Sequence, residues 1–134
     1  MTAQRQRITI LGSTGSIGVN TLDVISRHPD RFEVFALTGS TQVDVMFQEC
    51  VQLKPSMVVM ARIDAAKQLQ EKLDAHGLVM TVQSSAKALE EFAAHPLVDS
   101  VMAAIVGAAG LKACIAAALA GKKLLLVKIG RAHV

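Results

Sequence analysis

Aromatic residues, cysteines and concentrated charge are all scarce in this chain of 134 residues. It has no Trp, no Tyr and only four Phe, which argues against nucleic-acid binding by base stacking. The formal net charge of +3 is not gathered in a basic run, so a polyanionic partner has little support. Cys50 and Cys114 are far apart and match no metal-ligand spacing. We expect two small apolar helix residues in a reducing compartment, and no nucleic-acid partner.

Long apolar runs are missing as well. No segment is long enough to span a bilayer, and residues 1–7 are polar, with no signal-peptide core. These absences predict a cytoplasmic protein without a membrane partner. What the chain does have is a 51% share of apolar residues, enough for one domain with a real core.

Short apolar segments alternate with amphipathic ones along the chain. This alternation predicts a Rossmann-like α/β fold, a doubly wound parallel sheet of about six strands with helices on both faces. The predicted strands cover 7–11, 32–38, 57–60, 78–82, 98–103 and 124–127. The predicted helices cover 16–27, 43–53, 64–76 and 111–119, with one more after Ser84-Ser85.

The pattern also predicts which residues face the core, which face solvent and which end helices. On the first helix we expect a core face of Ile17, Thr21, Val24 and Ile25. Gly77 and Gly121 are expected as helix C-caps. The helical acids are most simply a solvated face: Glu49, Asp64, Glu71, Asp74, Glu90 and Glu91. The histidines at 28, 76 and 95 lie beside helix ends, where the helix dipole alone favours them, so no catalytic or metal role is expected.

A glycine turn lies between the first strand and the first helix. Gly12, Gly15 and Gly18 have G-x-x-G-x-x-G spacing, whereas the usual dinucleotide fingerprint is G-x-G-x-x-G. Gly12 suits a tight turn, Gly15 a close phosphate approach, and Gly18 close packing of helix on strand. The spacing alone is a weak signal, but its place between strand and helix predicts a phosphate site at a helix N-terminus.

The turn after the second strand bears on which dinucleotide binds. An NAD site usually has an acidic residue there for the ribose hydroxyls, but this chain has no acid before Asp44. Ser40, Thr41 and Gln42 can instead donate hydrogen bonds to a 2′-phosphate. The turn therefore favours NADP over NAD, although it contains no Arg or Lys.

Three segments together resemble the 1-deoxy-D-xylulose 5-phosphate reductoisomerase family, and the resemblance extends over nearly all of 7–126. They are Gly12-Ser-Thr-Gly-Ser-Ile-Gly18 with Thr21-Leu-Asp-Val24, Met102-Ala-Ala-Ile-Val-Gly-Ala-Ala-Gly-Leu111, and Ala120-Gly-Lys-Lys-Leu-Leu-Leu126. The resemblance implies an NADPH-binding N-terminal domain over 7–127. It also implies the family reaction, which rearranges 1-deoxy-D-xylulose 5-phosphate and reduces it with NADPH to 2-C-methyl-D-erythritol 4-phosphate. That is an early step of non-mevalonate isoprenoid synthesis.

The resemblance also implies the cofactor residues. The family's phosphate-loop contacts fall on Thr14, Gly15, Ser16 and Ile17, in the turn that begins with Gly12. Its second contact group, often Gly, a basic residue and Asn, falls on Ser40, Thr41 and Gln42. This chain departs from the pattern there, and only Gln42 is a close match.

The family's other parts have no counterpart in this sequence. The family uses a Mn, Mg or Co ion, a sugar-phosphate substrate and a homodimer, and its last strand runs into an Ala-Asn-Lys-Glu motif. Here Val127-Lys128-Ile129-Gly130 stands in that place. No catalytic residue or metal ligand is therefore assigned, and we expect the chain alone to be inactive.

Residues 128–134 do not continue the strand and helix pattern. Their sequence, Lys-Ile-Gly-Arg-Ala-His-Val, is also what a sequencing adapter would encode. We expect them to be a tail that is not native to the protein.

Two other functions stay open at this point. A different NADP-dependent dehydrogenase, such as a semialdehyde dehydrogenase, would need a nucleophilic cysteine in a ligand-side loop, where neither Cys50 nor Cys114 is expected. A stand-alone nucleotide-sensing module would need no chemistry at all.

Overall fold

The computed structural model describes residues 5–104 and 108–126. Within these ranges the strands are β1 (Gln6–Leu11), β2 (Phe32–Gly39), β3 (Met57–Met60), β4 (Val82–Gln83), β5 (Ser100–Ala103) and β6 (Lys123–Leu126). The helices are α1 (Ser16–Ser26), α2 (Val43–Leu53), α3 (Ile63–Ala75), α4 (Ala86–Ala93) and α5 (Ala108–Leu119). The tail predicted at 128–134 lies outside the described residues.

All strand pairs of the sheet are parallel, in the order β4-β3-β2-β1-β5-β6. The chain adds β2, β3 and β4 on one side of β1, then crosses back to place β5 and β6 on the other. The predicted Rossmann-like doubly wound fold is therefore confirmed. The strand order reverses between β1 and β5, and ligands of such sheets bind beyond the carboxyl ends of the strands at that point.

Each face of the sheet carries its own apolar core. Helices α1, α2 and α3 cover one face, where Ile8 and Ile10 of β1 pack beneath them. Helices α4 and α5 cover the other, against Leu11 and Val101. The Thr9 hydroxyl also points to this second side and donates a 2.8 Å hydrogen bond to the Phe92 carbonyl. Because both faces are covered, the strands read as nearly continuous apolar runs.

The predicted core face of α1 is wrong by part of a turn. Leu22 and Ile25 are buried, whereas the side chain of Val24 points outward and Val24 is 54% exposed. The buried stripe is 18, 22 and 25, which has helical spacing. Its first member is Gly18, which has no side chain and therefore adds nothing to the apolar pattern from which the face was predicted.

The fourth strand is much shorter than predicted. Only Val82 and Gln83 pair with β3, whereas the apolar segment from residue 78 suggested a strand that starts there. Leu78 and Met80 instead pack against the core beside α3, and Val79 is fully exposed. The side-chain amide of Gln70 holds this segment through the Met80 carbonyl and the Val82 N–H.

The cysteines and caps follow the prediction more closely. Cys50 is fully buried and Cys114 half-buried, both as free thiols. Burial raises the pKa of both thiols, that of Cys50 to about 12, so neither is activated as a nucleophile. Gly77 and Gly121 follow α3 and α5 with φ of +72° and +77°, as expected of helix ends.

The helix end at Lys54 predicts a stabilising substitution. Lys54 ends α2 in the left-handed region, with φ 49° and ψ 60°, where a side chain is strained. Lys54→Gly should therefore raise the free energy of unfolding by about 1 kcal/mol. Urea denaturation measures this change. As a control, the same substitution at the exposed helical Lys67 should lower stability by about 1 kcal/mol. A loss of stability in Lys54→Gly would contradict the strain argument.

Candidate functional site

The glycine turn joins β1 to α1 at the carboxyl edge of the sheet. Gly12 has a φ of +80°, and Gly15 is the N-cap of α1, with φ −76° and ψ 170°. A Cβ on Gly18 would lie 2.3 Å from the Gly12 carbonyl oxygen and 2.6 Å from the Ser13 Cα. Gly18 therefore has to be glycine if the first turn of α1 is to lie against the backbone of the loop before it.

The glycine turn is fixed to the end of β2 by Thr38. The Ser13 N–H donates to the Thr38 carbonyl at 2.8 Å, and the Gly12 N–H donates to the Thr38 hydroxyl at 2.9 Å. The Ser13 hydroxyl also reaches the Thr38 carbonyl, at 3.3 Å. Next to it, a Cβ on Gly39 would lie 3.2 Å from side-chain atoms of Thr14. Thr38 and Gly39 thus join the two predicted cofactor segments.

The sequence analysis gave neither Thr38 nor Gly39 a site role. The feature that could have pointed to them is their position at the end of the second strand, directly before an acid-free turn.

The start of α1 has no side-chain cap among the described residues. Its first turn also contains no acidic residue. The first N–H groups of a helix have no intrahelical acceptor and carry a partial positive charge. Thr14 and Ile17 are half-buried and Gly15 is exposed beside them. This arrangement suits the binding of an anion at the turn that the sequence predicted.

The second predicted segment, 40–42, follows β2 directly and is exposed. Its backbone is held by the segment after β3, because the Ala61 N–H donates to the Gly39 carbonyl at 2.9 Å and the Arg62 N–H to the Ser40 carbonyl at 3.4 Å. The structure therefore brings both predicted groups to the ends of neighbouring strands. Of the small-residue segment that resembles the family, residues 105–107 lie outside the described ranges.

An open groove lies beside segment 40–42. Its volume is about 630 Å³, and Thr41 and Gln42 line it at one end. A 2.7 Å ion pair between Lys72 of α3 and Asp44 of α2 crosses it. The groove does not include the glycine turn, so it is at most an extension of the predicted cofactor site.

The described residues offer no metal centre, since no group of three His, Cys, Asp or Glu side chains comes together among them. His76 packs on Phe47 with ring centroids 4.7 Å apart, and His95 packs on Phe35 at 4.6 Å. These two histidines pack on buried aromatic rings beside the ends of α3 and α4. In the same part of the chain, no helix is both long and apolar enough to cross a bilayer.

The predicted solvent exposure of Glu49 is wrong. Glu49 lies on the inner face of α2 and is only 8% exposed, and within the described part of the chain its carboxylate oxygens have no hydrogen bond of normal geometry. Burial raises the pKa of this carboxyl to about 7, although the Ser13 hydroxyl acts in the opposite direction. A buried acid therefore lies directly behind the glycine turn.

Comparisons with known proteins agree with this fold. The family model described as 1-deoxy-D-xylulose 5-phosphate reductoisomerase matches residues 8–128. A relative of that name from Methylobacillus flagellatus is 58% identical over 121 residues, which is 90% of this chain and 30% of the relative. One from Janthinobacterium sp. is 55% identical over the same length, or 31% of that relative.

Solved structures of similar proteins include complexes. A reductoisomerase described as a complex with NADPH, fosmidomycin and magnesium superimposes with a TM-score of 0.83 and 42% identity, covering 89% of this chain and 29% of that one. The Zymomonas mobilis enzyme in complex with NADPH has a TM-score of 0.83 and 39% identity, covering 92% of this chain and 32% of that one.

The fold and the glycine turn define a Rossmann-like α/β domain. The family match covers most of its length, so the chain belongs to the 1-deoxy-D-xylulose 5-phosphate reductoisomerase family. It spans about a third of the length of the relatives it matches.

The contact at Gly18 predicts a severe effect of one methyl group. Gly18→Ala should lower the free energy of unfolding by more than about 2 kcal/mol, because the atoms in the way belong to backbone. Gly15→Ala is the control, since a Cβ there meets nothing within 4 Å. Thermal unfolding compares the two variants. Equal stability of both would show that α1 does not need its close approach to the turn.

The buried carboxyl of Glu49 predicts a pH-dependent stability. Its pKa is raised from 4.5 to about 7 on folding, so its contribution is fully present below pH 4.5 and is lost as the pH rises to about 7. We expect the chain to lose about 1–3 kcal/mol over this interval. Glu49→Gln should remove that loss, whereas Glu91→Gln, an exposed acid on the other face, should keep it. Urea denaturation at several pH values measures it, and an unchanged profile in Glu49→Gln would contradict the assignment.

Proposed function

We propose that residues 7–127 are the NADPH-binding domain of a 1-deoxy-D-xylulose 5-phosphate reductoisomerase. The observation that carries this proposal is the start of α1, which has no capping side chain and no acid in its first turn, behind a glycine turn at the carboxyl edge of the sheet. A dinucleotide diphosphate is the anion that this position holds in doubly wound folds.

The residues fit the cofactor in two groups. Gly12 and residues 14–17 would hold the diphosphate through backbone N–H groups and hydroxyls at the N-terminus of α1. Ser40, Thr41 and Gln42 would hold the adenosine ribose and its 2′-phosphate beyond β2. The hydrogen bonds from Gly12 and Ser13 to Thr38 fix the spacing of the two groups before any ligand binds, which lowers the entropy lost on binding. When bound, NADPH supplies a hydride.

Two solved relatives described with NADPH support this proposal, at 42% and 39% identity. The dehydrogenase alternative has less support, because it needs a reactive cysteine. Cys50 is fully buried in α2, and burial raises the pKa of both thiols. No observation favours a sensing module over the family's cofactor site.

For the full-length protein of this family the proposal covers only general properties. There we infer a sugar-phosphate substrate, a homodimer and a cytoplasmic location. The divalent metal does not fit the described residues, which contain no cluster of ligands for it, so the chemistry assigned to this part of the chain ends with holding the cofactor.

Gly15→Asp tests the proposed diphosphate site without disturbing the fold. Gly15 is an N-cap with open space around its Cα, and Asp is a favoured N-cap residue, so folding stability should be unchanged or slightly higher. The new carboxylate would itself occupy the helix N-terminus and repel the diphosphate. We expect NADPH affinity to fall more than about tenfold, as measured by fluorescence titration of the chain.

Gly15→Asn is the matched control, since it also caps the helix but adds no charge. It should retain more affinity for NADPH than Gly15→Asp. Normal NADPH binding by the folded Gly15→Asp variant would exclude this turn as the diphosphate site. Failure of the unmodified chain to bind NADPH would refute the proposed function.

A further inference from the structure

The turn proposed to hold the 2′-phosphate contains no cation. Ser40, Thr41 and Gln42 offer only neutral donors, although a phosphate monoester carries nearly two negative charges at neutral pH. Hydrogen bonds from charged donors to phosphate are roughly twice as strong as neutral ones. An effective 2′-phosphate site therefore needs a basic side chain from elsewhere in the fold.

The structure brings one basic residue to this turn from the next strand. Residues 61 and 62 follow β3 and run alongside the end of β2, with the Arg62 N–H donating to the Ser40 carbonyl at 3.4 Å. Arg62 is the N-cap of α3, at the same carboxyl edge of the sheet as the glycine turn. Arg62 lies 21 positions after Thr41 along the chain, but the two residues belong to adjacent loops.

The Arg62 side chain is only weakly engaged. Within the described residues its recorded contact is a 3.4 Å hydrogen bond from Nε to the Asp64 carboxylate, and its side chain is 63% exposed. Exposed pairs of this kind hold their members loosely. The two terminal nitrogens of the guanidinium, which form the fork that binds phosphate well, have no recorded acceptor in that part of the chain.

Other charged side chains lie near the turn, since Asp44, Glu71 and Lys72 line the same groove as Thr41 and Gln42. Asp44, at the start of α2, is paired with Lys72 at 2.7 Å. Asp64 is the nearer competitor for Arg62, and Asp64 also accepts a hydrogen bond from the Ala65 N–H, which together with Arg62 lowers the pKa of its carboxyl.

We propose that Arg62 is a specificity-determining residue, which supplies the cationic contact to the 2′-phosphate of NADPH that the turn after β2 lacks. This inference rests on the proposed function and adds to it the source of the preference for NADPH over NADH. The guanidinium would leave Asp64 and donate to the phosphate oxygens beside the hydroxyls of Ser40 and Thr41. NADH, which has a hydroxyl in place of that phosphate, would gain nothing from Arg62.

Arg62→Gln in the full chain tests the inference, with NADPH and NADH titrated separately at low salt. We expect NADPH to bind about tenfold more weakly, as for the loss of one charge-assisted hydrogen bond, and NADH affinity to stay within about twofold. The dependence of NADPH affinity on salt should also weaken. Arg62→Lys keeps the charge but not the forked guanidinium, so its NADPH affinity should lie between those of the unmodified chain and Arg62→Gln.

Two further variants serve as controls. Arg31→Gln removes the same charge at the opposite end of β2, so it should leave the NADPH-to-NADH affinity ratio unchanged. Asp64→Asn removes the competing carboxylate and should raise that ratio. Circular dichroism and thermal unfolding check that each variant is folded, as expected for substitutions of exposed side chains.

The outcomes separate the two proposals. If both nucleotides bind and Arg62→Gln leaves their affinity ratio unchanged, Arg62 is not the specificity residue, while the nucleotide site stands. If the unmodified chain binds both nucleotides equally, the inference on Arg62 is overturned, whereas the diphosphate site is not. If neither nucleotide binds, the proposed function fails and the inference fails with it.

Discussion

The site depends on one close approach, the packing of the first turn of α1 against the backbone of the loop that precedes it. Gly18 permits this approach, because any larger residue would meet the Gly12 carbonyl oxygen at 2.3 Å. The approach sets where the helix starts, and therefore where its first N–H groups lie relative to the sheet edge. The positive φ of Gly12 turns the chain into that position. The third glycine of the motif thus acts on the proposed cofactor site through packing, from within the first turn of the helix.

A second constraint, the hydrogen bonds between the glycine turn and Thr38, fixes this turn as one end of a larger candidate site. Thr38 uses its carbonyl and its hydroxyl to hold Ser13 and Gly12, and Gly39 allows the Thr14 side chain to lie against β2. Because β1 and β2 are hydrogen-bonded neighbours, the distance between the two predicted segments is a property of the sheet. Both groups can then face one extended ligand without any rearrangement of the backbone.

Much of the fold could be predicted from sequence, because strands buried on both faces are apolar throughout, and the conspicuous glycine turn indicated where to look for a candidate site. The apolar periodicity gave wrong predictions where a buried position carries no side chain or carries a charged one. Gly18 concealed the stripe that includes Leu22, so Val24 was assigned inward. Glu49 carries a charged side chain typical of a surface residue but occupies a core position, so its burial is seen only in the folded structure. The contacts of Thr38 and Arg62 are tertiary and leave no local pattern.

Electrostatics explains why the proposed cofactor site cannot be understood from the turn sequences alone. A helix N-terminus attracts an anion weakly, and a buried acid behind the same turn opposes that attraction whenever it is ionised. With its pKa raised to about 7, the Glu49 carboxyl is largely neutral in slightly acidic solution and largely charged in alkaline solution. Positive charge on the solvent side, as proposed for the guanidinium of Arg62, whose backbone N–H donates to the Ser40 carbonyl, would act against this field without entering the core. In the proposed arrangement, a cation on the solvent side compensates for the charge beneath the turn, and it comes from the loop after β3, which the glycine motif does not include.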